Sequence, residues 1–82
     1  PGTYVLRLPG GRRRVVDVVE ILDVGEALMA LRSGDAEAME ECPLDLALAG
    51  DLAASEAEPG EGELLASIRR WCREEVEREC SA

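Results

Sequence analysis

Side chains capable of nucleophilic or metal chemistry are few in this chain. It contains three cysteines, Cys42, Cys72 and Cys80, and no histidine. A closed zinc site normally takes four Cys or His ligands, and a catalytic cysteine or serine normally uses histidine as its base. Cys72 and Cys80, eight residues apart in a predicted helix, would lie about 12 Å apart along its axis, beyond disulfide reach. The sequence predicts free thiols in a reducing cytoplasm, with no metal and no cofactor.

Cys42 is the thiol whose position could change its reactivity. Pro43 suits the first position of a helix over residues 44–49, which would make Cys42 the N-cap, where the helix dipole favours a thiolate. Glu40, Glu41 and Asp45 oppose that effect. The leucines at alternate positions in the same segment also fit a strand, so both structures stay open, and catalysis by Cys42 is disfavoured.

Carboxylates dominate the charged residues, with 18 Asp and Glu against 9 arginines and a net charge of −9. Residues 33–63 contain no base. Such a segment is typical of a solvated surface, and it also fits an acidic inhibitor that imitates DNA. The negative charge opposes direct binding of nucleic acid.

Arg12, Arg13 and Arg14 form a basic cluster beside a Gly-Gly turn. Consecutive arginines can contact an anion or an acidic partner. A turn exposed to solvent, or one that contacts acidic residues of a neighbouring protein, is the favoured interpretation. These three residues are therefore the candidate contact for an anion or an acidic partner.

The start of the chain carries a resemblance to a known family. Pro1, the strand after it, Gly11-Arg12 and the segment that follows resemble the opening of the 4-oxalocrotonate tautomerases over about the first third of the chain. The resemblance implies that Pro1 is a general base and that Arg12 holds the carboxylate of a small 2-oxo acid. The chain departs from the family's pattern at Gly2 and by an extra residue in the turn. A tautomerase-like enzyme is thus an alternative interpretation.

The first third of the sequence predicts a β-hairpin. Residues 3–8 alternate and are rich in β-formers, and Pro9-Gly10-Gly11 signals a turn. Residues 12–22 fit either the second strand, which we favour, or an amphipathic helix. Asp23 with Glu26 resembles a capping box for a short helix that ends at Gly34, and Asp35 can cap a helical turn up to Glu41.

The last segment, from Glu63 onwards, predicts an amphipathic helix. Opposite charges four residues apart predict ion pairs along it: Arg70 with Glu74, Arg73 with Glu77, and Glu74 with Arg78. A chain of 82 residues buries only about 60 to 65% of its unfolded surface, which favours association. The apolar stripe is the predicted interface: Leu64, Leu65, Ile68, Trp71, Cys72 and Val76.

Together these patterns predict one α+β domain over residues 1–82. An N-terminal β-hairpin is followed by short helices and a longer C-terminal amphipathic helix, with an acidic flexible loop at about 55–62. No apolar run is long enough to span a membrane. The predicted function is a cytoplasmic protein–protein interaction module, an accessory subunit or regulatory inhibitor, that forms a homo-oligomer and is not an enzyme. The tautomerase-like enzyme and the DNA mimic stay open as alternatives.

Overall fold

The fold is α+β. A computed structural model describes residues 2–81, in which an antiparallel hairpin precedes four helices. The elements are β1 (Thr3–Arg7), a 3-10 turn (Pro9–Gly11), β2 (Arg13–Asp17), α1 (Val18–Ser33), α2 (Ala36–Glu41), α3 (Leu46–Ala54) and α4 (Glu63–Ser81). The predicted class, a hairpin followed by helices with the longest at the end, is confirmed.

The hairpin is built by alternation around a glycine turn. Its strands pair from Thr3 with Asp17 to Arg7 with Arg13, so that Leu6 points into the core. Gly10 and Gly11 close the turn with φ of 77° and 76°. Residues other than glycine rarely adopt this positive φ. The two glycines therefore allow the turn predicted at Pro9–Gly11 to form.

The segment after the turn changes from strand to helix at Asp17. Asp17 accepts a hydrogen bond from the Glu20 N–H at 3.1 Å, and the Glu20 carboxylate accepts one from the Asp17 N–H at 3.1 Å. This reciprocal capping box starts α1 at Val18. The prediction of a helix start at Asp23 was therefore wrong, because the stronger cap lies six residues earlier. The predicted end at Gly34 is confirmed, with φ of 69°.

Aspartates also cap the two short helices. Asp35 accepts from the Ala38 N–H at 3.1 Å and begins α2, as predicted. Asp45 accepts from the Leu48 N–H at 3.0 Å and begins α3 at Leu46. The helix predicted over residues 44–49 is present, but it begins two residues later because Asp45, rather than the Cys42 thiol, is its N-cap. The alternative of a strand there was wrong. Cys42 instead ends α2.

The core lies between the inner face of the hairpin and three helices. α4 packs along α3 and crosses α1, and α1 follows directly from β2. Gly25 permits a close crossing of α1 and α4, because a Cβ placed on it would lie 2.6 Å from Cδ1 of Ile68. The buried core residues are Leu6, Leu8, Val16, Ile21, Val24, Leu28, Leu48, Ala49, Leu52, Leu65, Ile68 and Cys72.

Candidate protein-binding site

The predicted interface stripe on α4 lies mostly inside the chain's own core. Leu65, Ile68 and Cys72 are buried, whereas Leu64 and Trp71 are half-buried against the core. Val76 is 44% exposed. Contact of this stripe with a partner stays a prediction. In this conformation, only Val76 and the open sides of Leu64 and Trp71 could take part in such a contact.

The ion pairs predicted along α4 are replaced by contacts with other residues. Glu74 accepts from Arg32 of α1 at 2.7 Å, and the Arg32 guanidinium also lies 5.4 Å from the Trp71 ring centroid. Arg78 donates to Glu75 at 2.8 Å, and Arg73 donates to two backbone carbonyls at the end of α3. The predicted pairings were wrong because Glu74 and Arg73 contact α1 and the end of α3, and Arg78 pairs with Glu75 three residues before it in α4.

A buried polar network fastens the acidic loop to α4. Arg69 is only 3% exposed and Ser55 is fully buried. Nε of Arg69 donates to the Ser55 hydroxyl at 2.9 Å, and its Nη1 donates to the Glu61 carboxylate. That hydrogen bond lowers the pKa of Glu61 below its ordinary value. The network pairs the buried guanidinium of Arg69 and holds Ser55 and Glu61, near the two ends of the loop, against α4. Residue spacing alone had not indicated this network.

The three arginines after the turn do not act as one cluster. Arg14 binds Asp51 of α3 at 2.9 Å, while Arg12 and Arg13 are exposed near the hairpin tip. Arg7, Arg12 and Arg13 line a shallow depression of about 200 Å³ there. Contact with an anion or an acidic partner therefore stays a prediction for Arg12 and Arg13, while Arg14 has an internal partner.

The catalytic arrangement implied by the tautomerase resemblance involves both ends of the hairpin. Pro1 lies outside the described residues. The next residue, Gly2, accepts a hydrogen bond from the Val18 N–H at 2.8 Å, which places it at the open end of the ribbon. Arg12 is at the turn, opposite Leu8 and six residue rises along the strand from Gly2, a distance of about 20 Å. A tautomerase-like site formed by Pro1 and Arg12 stays a prediction.

An apolar groove lies between α1, the segment from α2 to α3, and the C-terminal half of α4. Its volume is about 500 Å³. Leu46 is 77% exposed and Met39 is 38% exposed. We call this surface the acidic-rim groove, and its lining residues are Ala27, Leu31, Met39, Cys42, Leu44, Leu46, Glu75 and Glu79.

The charges around the acidic-rim groove have one sign. Glu75 and Glu79 are its ionisable carboxylates, and no basic residue is among those that line it. Arg78 neutralises Glu75 in part, whereas Glu79 has no ion-pair partner within residues 2–81. An apolar floor with an acidic rim suits a partner segment that combines apolar side chains with lysines or arginines. The alternating leucines near residue 46 were the sequence signal for this groove, but they were interpreted as helix or strand.

Cys42 contributes a neutral thiol to the groove. Burial, followed by the nearby carboxylates of Glu26, Glu41 and Asp23, raises the pKa of Cys42. A raised pKa lowers the thiolate fraction at neutral pH and opposes nucleophilic chemistry. Over the described residues, no group of three or more Cys, Asp and Glu side chains is arranged to hold a metal ion.

The three thiols should react in the order of their exposure. Burial raises the pKa of Cys72 to about 11, while Cys80 is exposed on the last turns of α4. We expect iodoacetamide at pH 8 to alkylate Cys80 first, Cys42 more slowly, and Cys72 only when the chain unfolds. Peptide mass spectrometry over time measures the order, with labelling in urea as the control. Equal rates for Cys72 and Cys80 in the folded protein would contradict the buried position of Cys72.

The comparisons of this chain with known proteins found no relative. No protein-family model matches the chain, and neither the curated proteins nor the solved structures contain a match. Within residues 2–81, no helix combines the length and the apolar character needed to cross a membrane. Function is therefore inferred from the surfaces of the molecule.

Proposed function

We propose that this chain is a small acidic protein–protein interaction module, acting as an accessory subunit or a regulatory inhibitor. Its docking site is the acidic-rim groove, and its ligand is an amphipathic, basic segment of a partner protein. The supporting observation is the exposure of Leu46, at 77%, beside a groove of about 500 Å³ with an apolar floor. Exposed apolar surface of this kind marks binding sites on small domains.

The shape of the groove favours a helical ligand. Helices of the chain form its walls, and a partner helix would insert side chains spaced three and four residues apart between them. Met39 supports this mode because an unbranched thioether adapts to differently shaped apolar anchors. The proposed affinity therefore comes from apolar contacts with Leu31, Leu44 and Leu46.

The charge of the chain favours a basic ligand over an acidic one. The net charge of −9 attracts a basic partner and increases its rate of association at low salt. The same charge repels nucleic acid, which is therefore not the proposed ligand. The free cysteines support a reducing compartment, the cytoplasm, as the proposed location.

Leu46→Glu tests the proposed docking site. The residue begins α3, where a glutamate favours the helix, so the variant should fold normally. The probes are two designed amphipathic peptides with identical leucine positions, one with lysines and one with glutamates on the polar face. We expect the lysine peptide to bind the wild type. In calorimetry at high salt, where the attraction of the added carboxylate is screened, Leu46→Glu should weaken that binding by roughly tenfold or more because an apolar contact is lost.

The matched control is Val19→Glu, which places the same charge in the first turn of α1, outside the groove. Its binding should equal that of the wild type, and binding of the lysine peptide should weaken as salt increases. Equal binding of both peptides would contradict the proposed basic ligand, and an unchanged affinity in Leu46→Glu would exclude the groove as the docking site. The alternative of a DNA mimic predicts instead that the chain binds a DNA-binding protein and that DNA competes for that protein.

A further inference from the structure

The outer face of the hairpin has a chemical pattern that is complementary to itself. We propose that a second copy of this chain packs face to face on it and forms a two-fold symmetric dimer. This inference does not depend on the proposed function, because the hairpin and the acidic-rim groove share no residues. We call this surface the ribbon face, and its residues are Thr3, Val5, Arg7, Arg13, Val15 and Asp17.

The centre of the ribbon face is apolar and open. Val5 and Val15 are directly opposite each other in the strand pairing and are 52% and 66% exposed. The Leu8 N–H donates to the Arg12 carbonyl at 2.9 Å, which sets the alternation of hydrogen-bonded pairs along the hairpin. By that alternation Val5 and Val15 form a non-hydrogen-bonded pair, in which side chains approach most closely. The two valines therefore present one contiguous apolar surface.

The two ends of the ribbon face differ in charge. Arg7 and Arg13 are opposite each other at the end near the turn, an arrangement of like charges that is unfavourable. Glu58 binds Arg7 at 3.3 Å, whereas Arg13 has no ion-pair partner within the described chain. At the other end is Asp17, whose exposed carboxylate caps α1. An unneutralised arginine and an exposed carboxylate thus lie on the same face, one on each side of the valines.

Symmetry decides how two such faces meet. A two-fold axis between the ribbons and perpendicular to the strands places Arg13 of each copy over Asp17 of the other, and the valines over valines. An axis along the strands would instead bring four arginines together. The first arrangement joins opposite charges twice and is self-complementary, as a two-fold interface requires. Sheets stack about 10 Å apart, a distance that an arginine side chain reaching towards a carboxylate can bridge.

The size of the ribbon face predicts a weak dimer. Each strand has only five residues, so the face is about 16 Å long and two strands wide. Interfaces this small belong to transient associations. In the dimer both acidic-rim grooves remain open, because the groove residues belong to other elements. A dimer would thus present two docking sites.

Charge reversal with rescue tests the dimer. Sedimentation equilibrium at protein concentrations up to about 1 mM and low salt measures the dissociation constant of a weak association. We expect Arg13→Glu to weaken the dimer by roughly tenfold or more, because the new carboxylate would face Asp17 twice. The double variant R13E/D17R exchanges the opposite charges and should recover part of the loss. Because Asp17 is also the N-cap of α1, circular dichroism must show that this variant is folded. Arg13→Glu also removes the repulsion from Arg7, so its monomer should fold well.

Three further variants, at Asp17 and Val15, keep the test independent of folding. Asp17→Asn retains a good N-cap but removes the charge, and should weaken the dimer. Val15→Glu should abolish it, whereas Val15→Thr, which keeps the branched shape, should weaken it much less. A wild type that is monomeric at about 1 mM would overturn the proposal. So would a dimer that survives Val15→Glu but is lost in Val76→Glu, which would place the interface on α4 instead.

Discussion

Replacing Arg69 with methionine is expected to destabilise the fold by about 3–5 kcal/mol, the usual result of leaving one partner of a buried ion pair. Glu61 would retain an unpaired negative charge in a half-buried position, and the Ser55 hydroxyl would lose its donor. A chain of this length has a total stability of only about 4–12 kcal/mol. Urea denaturation followed by circular dichroism should therefore show a variant close to unfolding.

Two control variants distinguish the effect of breaking the Arg69–Glu61 ion pair from the effect of removing an arginine side chain in general. Arg70→Met makes the same change at the exposed neighbouring position and should alter stability by less than about 0.5 kcal/mol. Replacing Glu61 as well, in R69M/E61M, should recover part of the loss, since the uncompensated charge is removed. If Arg70→Met proved as damaging as Arg69→Met, the buried network would not be the cause.

The pH dependence of stability provides a second check on Arg69. Because the pKa of Glu61 is lowered in the folded chain, its pairing contributes fully above the ordinary carboxyl pKa. That contribution is lost as the pH falls through the lowered value. The wild type should therefore lose stability in acid more steeply than R69M/E61M does. Parallel curves for the two proteins would show that Glu61 is not coupled to folding.

Gly25→Ala is expected to destabilise the protein by up to about 2 kcal/mol, because overpacking a core costs about 1–3 kcal/mol and the helix preference of alanine over glycine offsets about 0.5–1 kcal/mol of it. The added Cβ would lie 2.6 Å from Cδ1 of Ile68, and that side chain is itself only 4% exposed. Gly50→Ala is the matched control, because it is also within a helix and its new Cβ meets nothing within 4 Å. It should stabilise the protein by about 0.5–1 kcal/mol. Thermal unfolding compares the two variants.

A second substitution identifies the clash at Gly25. Ile68→Val removes the Cδ1 methyl and should cost about 0.5–1.5 kcal/mol by itself. In the double variant G25A/I68V the alanine Cβ has room. The double variant should therefore lose less stability than the sum of the losses of the two single variants. Strict additivity would mean that the two residues do not press on each other, and that α1 and α4 are not held together at Gly25.

The start of a helix could be predicted where its segment offered only one plausible capping residue. Asp35 was recognised because its segment offers no other cap, and it begins α2. Asp17 was not recognised as a cap because residues 12–22 suited both a strand and a helix, and the chain uses both in turn. Local propensity could not predict the residue at which β2 ends and α1 begins, because the pairing register of the hairpin determines the last residue of β2.

Local patterns were enough to establish the class of the fold, the hairpin around Pro9–Gly11, the amphipathic α4 and the acidic character of the surface. These follow from periodicity, turn residues and charge, which are properties of neighbouring residues. Three-dimensional packing was needed to show that Arg69 is buried beside Ser55 and Glu61, that Arg14 binds Asp51, and that a groove opens beside Leu46. Those features depend on contacts between residues that are far apart in the sequence, and the spacing of neighbouring residues does not indicate such contacts.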